Sequence, residues 1–315
     1  MEIKKCTQEF WDAFVDASPQ GTVFNKSFAL SSDGLPTDYL ICYKGEEAIA
    51  GFGFAYSHEG IKLAPFGVWS GIIFKDLREH TPYRLNETVF LALEAFANHL
   101  FEHYKEVNFP NHWDIVDMRP FDWVNYHTRE KGYFQITTRY TSLLDISQPQ
   151  NTDGYARLRI RELRKGTDEG YQFSTKETND IPLLDHLHEM NFKRQGIERS
   201  PEEAKSLIST CENFLKVKAG KLLATYVNEE PAVISFFAYD RHRAYHLIMG
   251  TDLKFRELGV GTKNFHDSCV FLNQQLGCKE LDLVGVNSPL RAAYKLSYGG
   301  RIVPYFQVKK IGPKI

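Results

Sequence analysis

Cysteine is scarce here and badly placed for cross-linking. The five residues Cys6, Cys42, Cys211, Cys269 and Cys278 are odd in number, widely spaced and free of any Cys-x-x-Cys pair. That pattern excludes a disulfide framework and reads as reduced thiols of a cytoplasmic protein. The eleven histidines form no His-Glu-x-x-His or other ligand spacing, so no metal is expected. No apolar run approaches the roughly 18 residues of a membrane span. The polar start Met1-Glu2-Ile3-Lys4-Lys5-Cys6-Thr7 lacks the apolar core of a signal peptide. Charge of one sign is lacking too. A formal net charge of −2 gives no global field for DNA or non-specific nucleic-acid binding.

What remains is the balance of a folded protein, 43% hydrophobic and 25% charged, in a chain long enough for two domains. One pattern occurs twice. Residues 38–44, the turn Gly45-Glu46-Glu47 and residues 48–56 read as a hairpin of apolar, β-branched and aromatic runs. Residues 221–227, the turn Asn228-Glu229-Glu230 and residues 231–239 repeat it. A helix follows each hairpin. Val89, Leu93, Phe96 and Leu100 carry its stripe in the first half; Phe265, Cys269, Leu272 and Leu276 carry it in the second, where Gly277 stands at the C-cap position. Strands are expected next at Trp113–Asp117 and Glu280–Val286, and a final aromatic, β-branched run at Tyr133–Leu144 and Ile302–Lys309. The simplest account is two copies of one α/β (α+β) unit, each a mainly antiparallel twisted mixed sheet flanked by helices. The expected domains are 1–150 and 151–315, joined by the turn-rich segment Ser147–Gly154.

The copies differ where chemistry is expected. Arg256-Glu257-Leu258-Gly259-Val260-Gly261-Thr262 follows the strand-like run Tyr245–Met249 and opens a helix. Glycines let a backbone approach a ligand, and first-turn amides with the helix dipole favour phosphate. The first copy has Phe74–Pro82 in that place, with Asp76 and Glu79 and no paired glycines. One nucleotide-type cofactor is therefore expected, in the C-terminal half.

The Arg-x-x-Gly-x-Gly segment resembles the glycine loop of the GNAT superfamily of acyl-CoA-dependent N-acyltransferases, as do Asn287 after the next strand and Tyr294 on the following helix. The whole chain looks like a tandem arrangement similar to the Fem family of aminoacyltransferases. Residues 10–24, Asp117-Met118-Arg119-Pro120-Phe121-Asp122-Trp123 and Tyr294-Lys295-Leu296-Ser297-Tyr298-Gly299-Gly300 carry that likeness. Thr178–Phe214 has room for two ordinary helices but not the long helical-hairpin arm of Fem enzymes. With the form of the glycine loop, this favours acyl-CoA over aminoacyl-tRNA.

The resemblance implies transfer of an acyl group, acetyl above all, from acetyl-CoA or another acyl-CoA to the primary amine of a small molecule or peptide. The amides of Leu258, Gly259, Val260, Gly261 and Thr262 would hold the pyrophosphate, with Arg256 adding charge or bracing the loop. The backbone of Leu247, Ile248 and Met249 would pair with the pantetheine arm, and Asn287 would bond the same arm. Tyr294 would be the general acid, since a phenol of pKa about 10 can supply a proton to a departing thiolate. Glu189, in the helical stretch His186–Gly196, would be the base. The basic run Arg157–Gly166 could meet the CoA 3′-phosphate, an anionic acceptor or RNA. Two alternatives stay open: Fem-like transfer from aminoacyl-tRNA to a cell-wall precursor, and a non-catalytic binding module on the same fold.

Overall fold

The structure is a computed structural model that describes every residue except Asp33, Ala64, Pro65, Lys314 and Ile315. The chain forms two compact units: Met1–Arg139 with Pro304–Ile315, and Tyr140–Val303.

In the first unit the elements are β1 (Glu2–Lys5), α1 (Gln8–Ala17), α2 (Ser27–Leu30), β2 (Thr37–Lys44), β3 (Glu47–Ser57), β4 (Gly60–Lys62), β5 (Ile73–Phe74), α3 (Pro82–His103), β6 (Asn108–Pro110), α4 (Arg119–Asp122) and the first part of β7 (Tyr133–Asp145). The β2–β3 hairpin turns at Gly45, φ +62°, a conformation that suits glycine. The sheet order is β1-β2-β3-β4, and β5 pairs with a different stretch of β3. Leu93, Phe96 and Leu100 of α3 are fully buried against Phe52, Phe109 and Phe134. Each such side chain contributes about 1.5–3 kcal/mol by leaving water. Val308 belongs to this core, and residues 307–309 pair with β6.

The second unit contains the rest of β7, then α5 (Arg157–Asp168), β8 (Phe173–Thr178), α6 (Ile181–Arg194), α7 (Pro201–Lys216), β9 (Gly220–Val227), β10 (Glu230–Tyr239), β11 (Ala244–Thr251), α8 (Val260–Leu276), β12 (Glu280–Asp282), α9 (Pro289–Leu296) and the start of β13 (Arg301–Ile311). Strands β8, β9, β10 and β11 are antiparallel neighbours; β11 then pairs in parallel with β12, and β12 antiparallel with β7. The β9–β10 turn places Asn228 and Glu229 at positive φ, as a two-residue hairpin turn requires. Asp180 caps α6, and Ser200 with Glu203 forms a capping box on α7. Gly277 ends α8 at φ +71°. This is the mixed α/β architecture expected from the paired hairpins.

Two expected strands are corrected. Residues 113–117 form a turn and loop, not a strand; Ile115 N bonds back to His112 O, and β6 lies earlier, at Asn108–Pro110. The strand expected over Glu280–Val286 stops at Asp282. The carbonyls of Leu283 and Val284 turn instead to the Lys295 ammonium at 2.5 and 3.0 Å, and Val284 takes φ +30°. The β11–β12 pairing is confined to Ala244↔Leu281 and Tyr245↔Asp282. Beyond it β11 carries a bulge: Phe236 faces Ile248 and Phe237 faces His246, so Leu247 is the extra residue. The two strands therefore part after Tyr245.

Candidate functional site

The parting of β11 and β12 leaves a cleft of about 1050 Å³ in the second unit. Three helices line it, each at helical spacing. Helix α6 presents His188, Asn191 and Phe192, with Gln195 at its C-cap; α5 presents Leu158, Arg161, Glu162 and Lys165; α9 presents Arg291, Tyr294 and Lys295. The walls carry eight arginine and lysine side chains against four acids, a balance that favours an anionic ligand.

The start of α8 forms one end. A 3₁₀ turn, Leu253–Leu258, leads to Gly259 at φ +76°. Helix α5 lies against this turn. A Cβ on Gly259 would overlap the Glu162 carbonyl oxygen, and Lys165 Nζ bonds Glu257 O at 2.6 Å. The Thr262 hydroxyl donates to the Glu162 carboxylate and accepts from Arg159 Nη1 at 3.0 Å. Gly261 is more open: a Cβ there would meet only Tyr294 Oη at 3.3 Å and Met249 Cε at 3.9 Å.

Tyr294 sits at the centre. Its ring lies under the Arg159 guanidinium, 4.7 Å from the ring centre, and its oxygen accepts from Tyr298 Oη at 2.7 Å. Its own proton is thereby left for another acceptor. Burial pushes its pKa up to about 12, so the phenol stays protonated throughout the neutral range. Beside it Lys295 is enclosed, with Nζ held by backbone carbonyls, and burial lowers its pKa to about 8. Each ammonium bond to a carbonyl contributes about 1.5–3 kcal/mol, which keeps the cation in place despite its desolvation.

The expected site residues divide into two groups. Leu247, Ile248, Met249, Arg256, Gly259, Gly261, Thr262 and Tyr294 line the cleft together. Leu258 and Val260 face the core with Val233 and Phe255. The structure does not bring Asn287 to the cleft wall: its amide bonds both backbone groups of Tyr140, at 2.8 Å each, in place of a strand pairing. Nor does it bring Glu189 there. That carboxylate pairs with Lys193 at 2.8 Å, and this hydrogen bond holds its pKa below the ordinary value. The Met249 carbonyl is taken by Asn191 Nδ2 at 3.0 Å.

Arg159, Glu162, His188, Arg291 and Lys295 were not singled out from the sequence as site residues. The signal was present, because His188, Asn191, Phe192 and Gln195 recur at i, i+3, i+4 and i+7. Among the described residues no group of three or more His, Cys, Asp or Glu is placed to hold a metal. Among the described residues no helix is long and apolar enough to cross a membrane.

Residues 154–296, which lie within the second unit, match the family model of the acetyltransferase (GNAT) domain. No curated protein matches the chain. Among solved structures the chain is similar to FemX, at 10% identity and TM-score 0.69, over 97% of each chain. It is also similar to a conserved protein of unknown function from Bacteroides thetaiotaomicron, at 12% identity and TM-score 0.60, over 98% of this chain and 99% of that one. A third likeness is to a tandem GNAT protein from the clavulanic acid biosynthesis pathway, at 11% identity and TM-score 0.51, over 100% of this chain and 99% of that one. These likenesses show a tandem GNAT-like fold.

Proposed function

We propose that the second unit transfers an acyl group, acetyl above all, from acyl-CoA to a primary amine. The single observation that carries this is the convergence of Gly261, Arg256 and Tyr294 on one cationic cleft at the start of α8. The residues fit the diphosphate of CoA on the Gly261 side: the backbone there is unobstructed, Arg256 supplies charge, and the helix dipole is favourable. On the Gly259 side they do not, since α5 covers the turn and Glu162 engages Thr262.

When bound, acyl-CoA supplies a thioester carbonyl open to attack by an amine. Tyr294 keeps its proton at neutral pH and would give it to the departing thiolate as the C–N bond forms and the C–S bond breaks, the proton released by the attacking amine restoring the phenol. Tyr298 holds the Tyr294 oxygen and leaves that proton free to point elsewhere. Lys295 fixes the carbonyls of Leu283 and Val284 and so holds the cleft open at its base. Arg159 holds the Tyr294 ring and ties it to Thr262. Asn287 and Glu189 take no part in this reading, because each is engaged away from the cleft wall.

A second reading, an aminoacyl ester of tRNA as donor, is favoured by one specific observation. Glu162 places a carboxylate at the first turn of α8, where it repels a diphosphate, while Arg161, Arg164 and Arg194 extend the positive wall. Calorimetric titration with acetyl-CoA, CoA and aminoacyl-tRNA separates the two. Under the acyl-CoA reading Gly261→Asp abolishes CoA binding and Glu162→Gln strengthens it. Binding of aminoacyl-tRNA without binding of CoA, or a CoA affinity that neither variant changes, would overturn it.

A further inference from the structure

The cleft wall formed by α6 holds a three-residue chain that the proposed reaction leaves unused. Asp185 Oδ1 pairs with Arg199 Nη2 at 2.6 Å, and the Arg199 side chain is only 5% exposed. Arg199 Nη1 lies 3.3 Å from His188 Nδ1. A guanidinium has donors and no acceptor, so Nδ1 must be the bare, accepting nitrogen of the ring. The proton of the neutral imidazole is then on Nε2. Among the described residues no protein group bonds Nε2, and His188 lines the cleft, with the ring edge braced by Phe192 at 4.9 Å.

We propose that His188 is a fixed, neutral Nε2–H donor that receives an acceptor oxygen of the bound ligand, a carbonyl or a carboxylate, and that Arg199 is its positioning residue. Asp185 holds Arg199 in place and so acts one step further back. The ligand contact rests on the reading of this cleft as an acyl-transfer site; the tautomer does not.

Four charged groups act on His188 alongside its burial. Burial is the largest influence and holds its pKa down to about 4. Arg199, which follows α6, and Arg291 of α9 act in the same direction. Asp185 of α6 and Glu203 of α7 oppose them. His188 therefore stays neutral from weakly acidic to basic pH, and its donor proton is permanent over that range. It cannot serve as a base there, because Nδ1 is engaged and Nε2 is already protonated.

The test is nitrogen NMR on histidine-labelled protein, with the His188 signals identified by their loss in His188→Gln. The expected result is an Nε2–H tautomer that does not titrate between about pH 6 and 8. In Arg199→Met the Nδ1 partner is gone while Asp185 and Glu203 remain. The His188 pKa then rises by about one unit or more, and the tautomers mix. Arg199→Lys, which keeps a donor and the ion pair, retains the wild-type tautomer, and it decides the matter if Arg199→Met fails to fold. An Nδ1–H tautomer in the wild type, or a His188 that titrates at about 6.5, overturns the proposal.

The ligand contact is read separately, with acetyl-CoA. His188→Phe should weaken its binding about tenfold, and His188→Gln, which carries an amide donor at the Nε2 position, should restore it. Unchanged affinity in His188→Phe overturns the contact. Failure of acetyl-CoA to bind the wild type removes the proposed function and leaves the tautomer to be decided by NMR alone.

Discussion

The helix that follows the hairpin begins in two different ways in the two units. In the first, α3 starts at Pro82 behind a loop that satisfies itself. Asp76 accepts from the Arg78 amide and guanidinium, and these bonds lower its pKa to about 2. In the second, α8 starts at a left-handed glycine whose loop is completed from elsewhere in the unit: Glu162 and Lys165 from α5, Tyr294 and Tyr298 at α9. A self-satisfied loop can change without disturbing its surroundings. A loop completed by distant residues transmits every change into the cleft.

That contrast can be broken or sharpened by four measurements. The largest effect is expected from Gly259→Ala. Left-handed strain of about 1–2 kcal/mol adds to a backbone overlap with Glu162 costing about 1–3 kcal/mol, so denaturation should show a loss of about 3 to 4 kcal/mol. Gly45→Ala is the control in the first unit, with similar φ and open space around it. It should lose only about 1 kcal/mol, and equal losses would remove the contrast.

Lys295→Met comes next, read against pH. The pKa of Lys295 in the folded protein, about 8, lies below the 10.5 of a freely solvated lysine. Between these values the unfolded chain binds the extra proton, so this residue's contribution to stability rises as pH rises through that window. The wild type should gain about 2 to 3 kcal/mol relative to Lys295→Met across it. Parallel stability curves would show that the ammonium is not enclosed. Tyr294→Phe should lower turnover about tenfold and leave acetyl-CoA affinity nearly unchanged, as expected for a group that acts mainly on the departing atom. Equal turnover would remove the acid role. Asp76→Ala should shift neither the melting temperature nor ligand affinity measurably, because its pairing is exposed and local.

The hairpins, the two long helices and the turn before α8 were legible because each is encoded by near neighbours. Apolar runs around Gly45 and Asn228, stripes at Leu93 and Phe265, and the Gly259–Gly261 spacing are local facts. The site was legible only in part. Helix rotation decides which side chain of α6 meets the cleft, and each residue turns by about 100°; chemistry pointed to Glu189, yet His188 next to it lies on the wall. The packing of Glu162 on Gly259 joins residues 97 positions apart in the chain, and no local pattern announces it. The early end of β12 depends on Lys295, thirteen residues beyond Asp282, whose carbonyl contacts arise only once α9 has folded back. Asn287 was read as a ligand-binding amide, and its substitution for a strand pairing with Tyr140 belongs to tertiary structure alone.

The composition of the first unit has a consequence for biosynthesis. Its core includes Val308, and its β6 is paired by residues 307–309. Domains usually form in the order in which they leave the ribosome, but this one must wait with an unfilled hydrophobic slot and an unmatched strand edge while some 160 further residues are translated. The half made first is therefore the half finished last, and until then its apolar slot stays open to water.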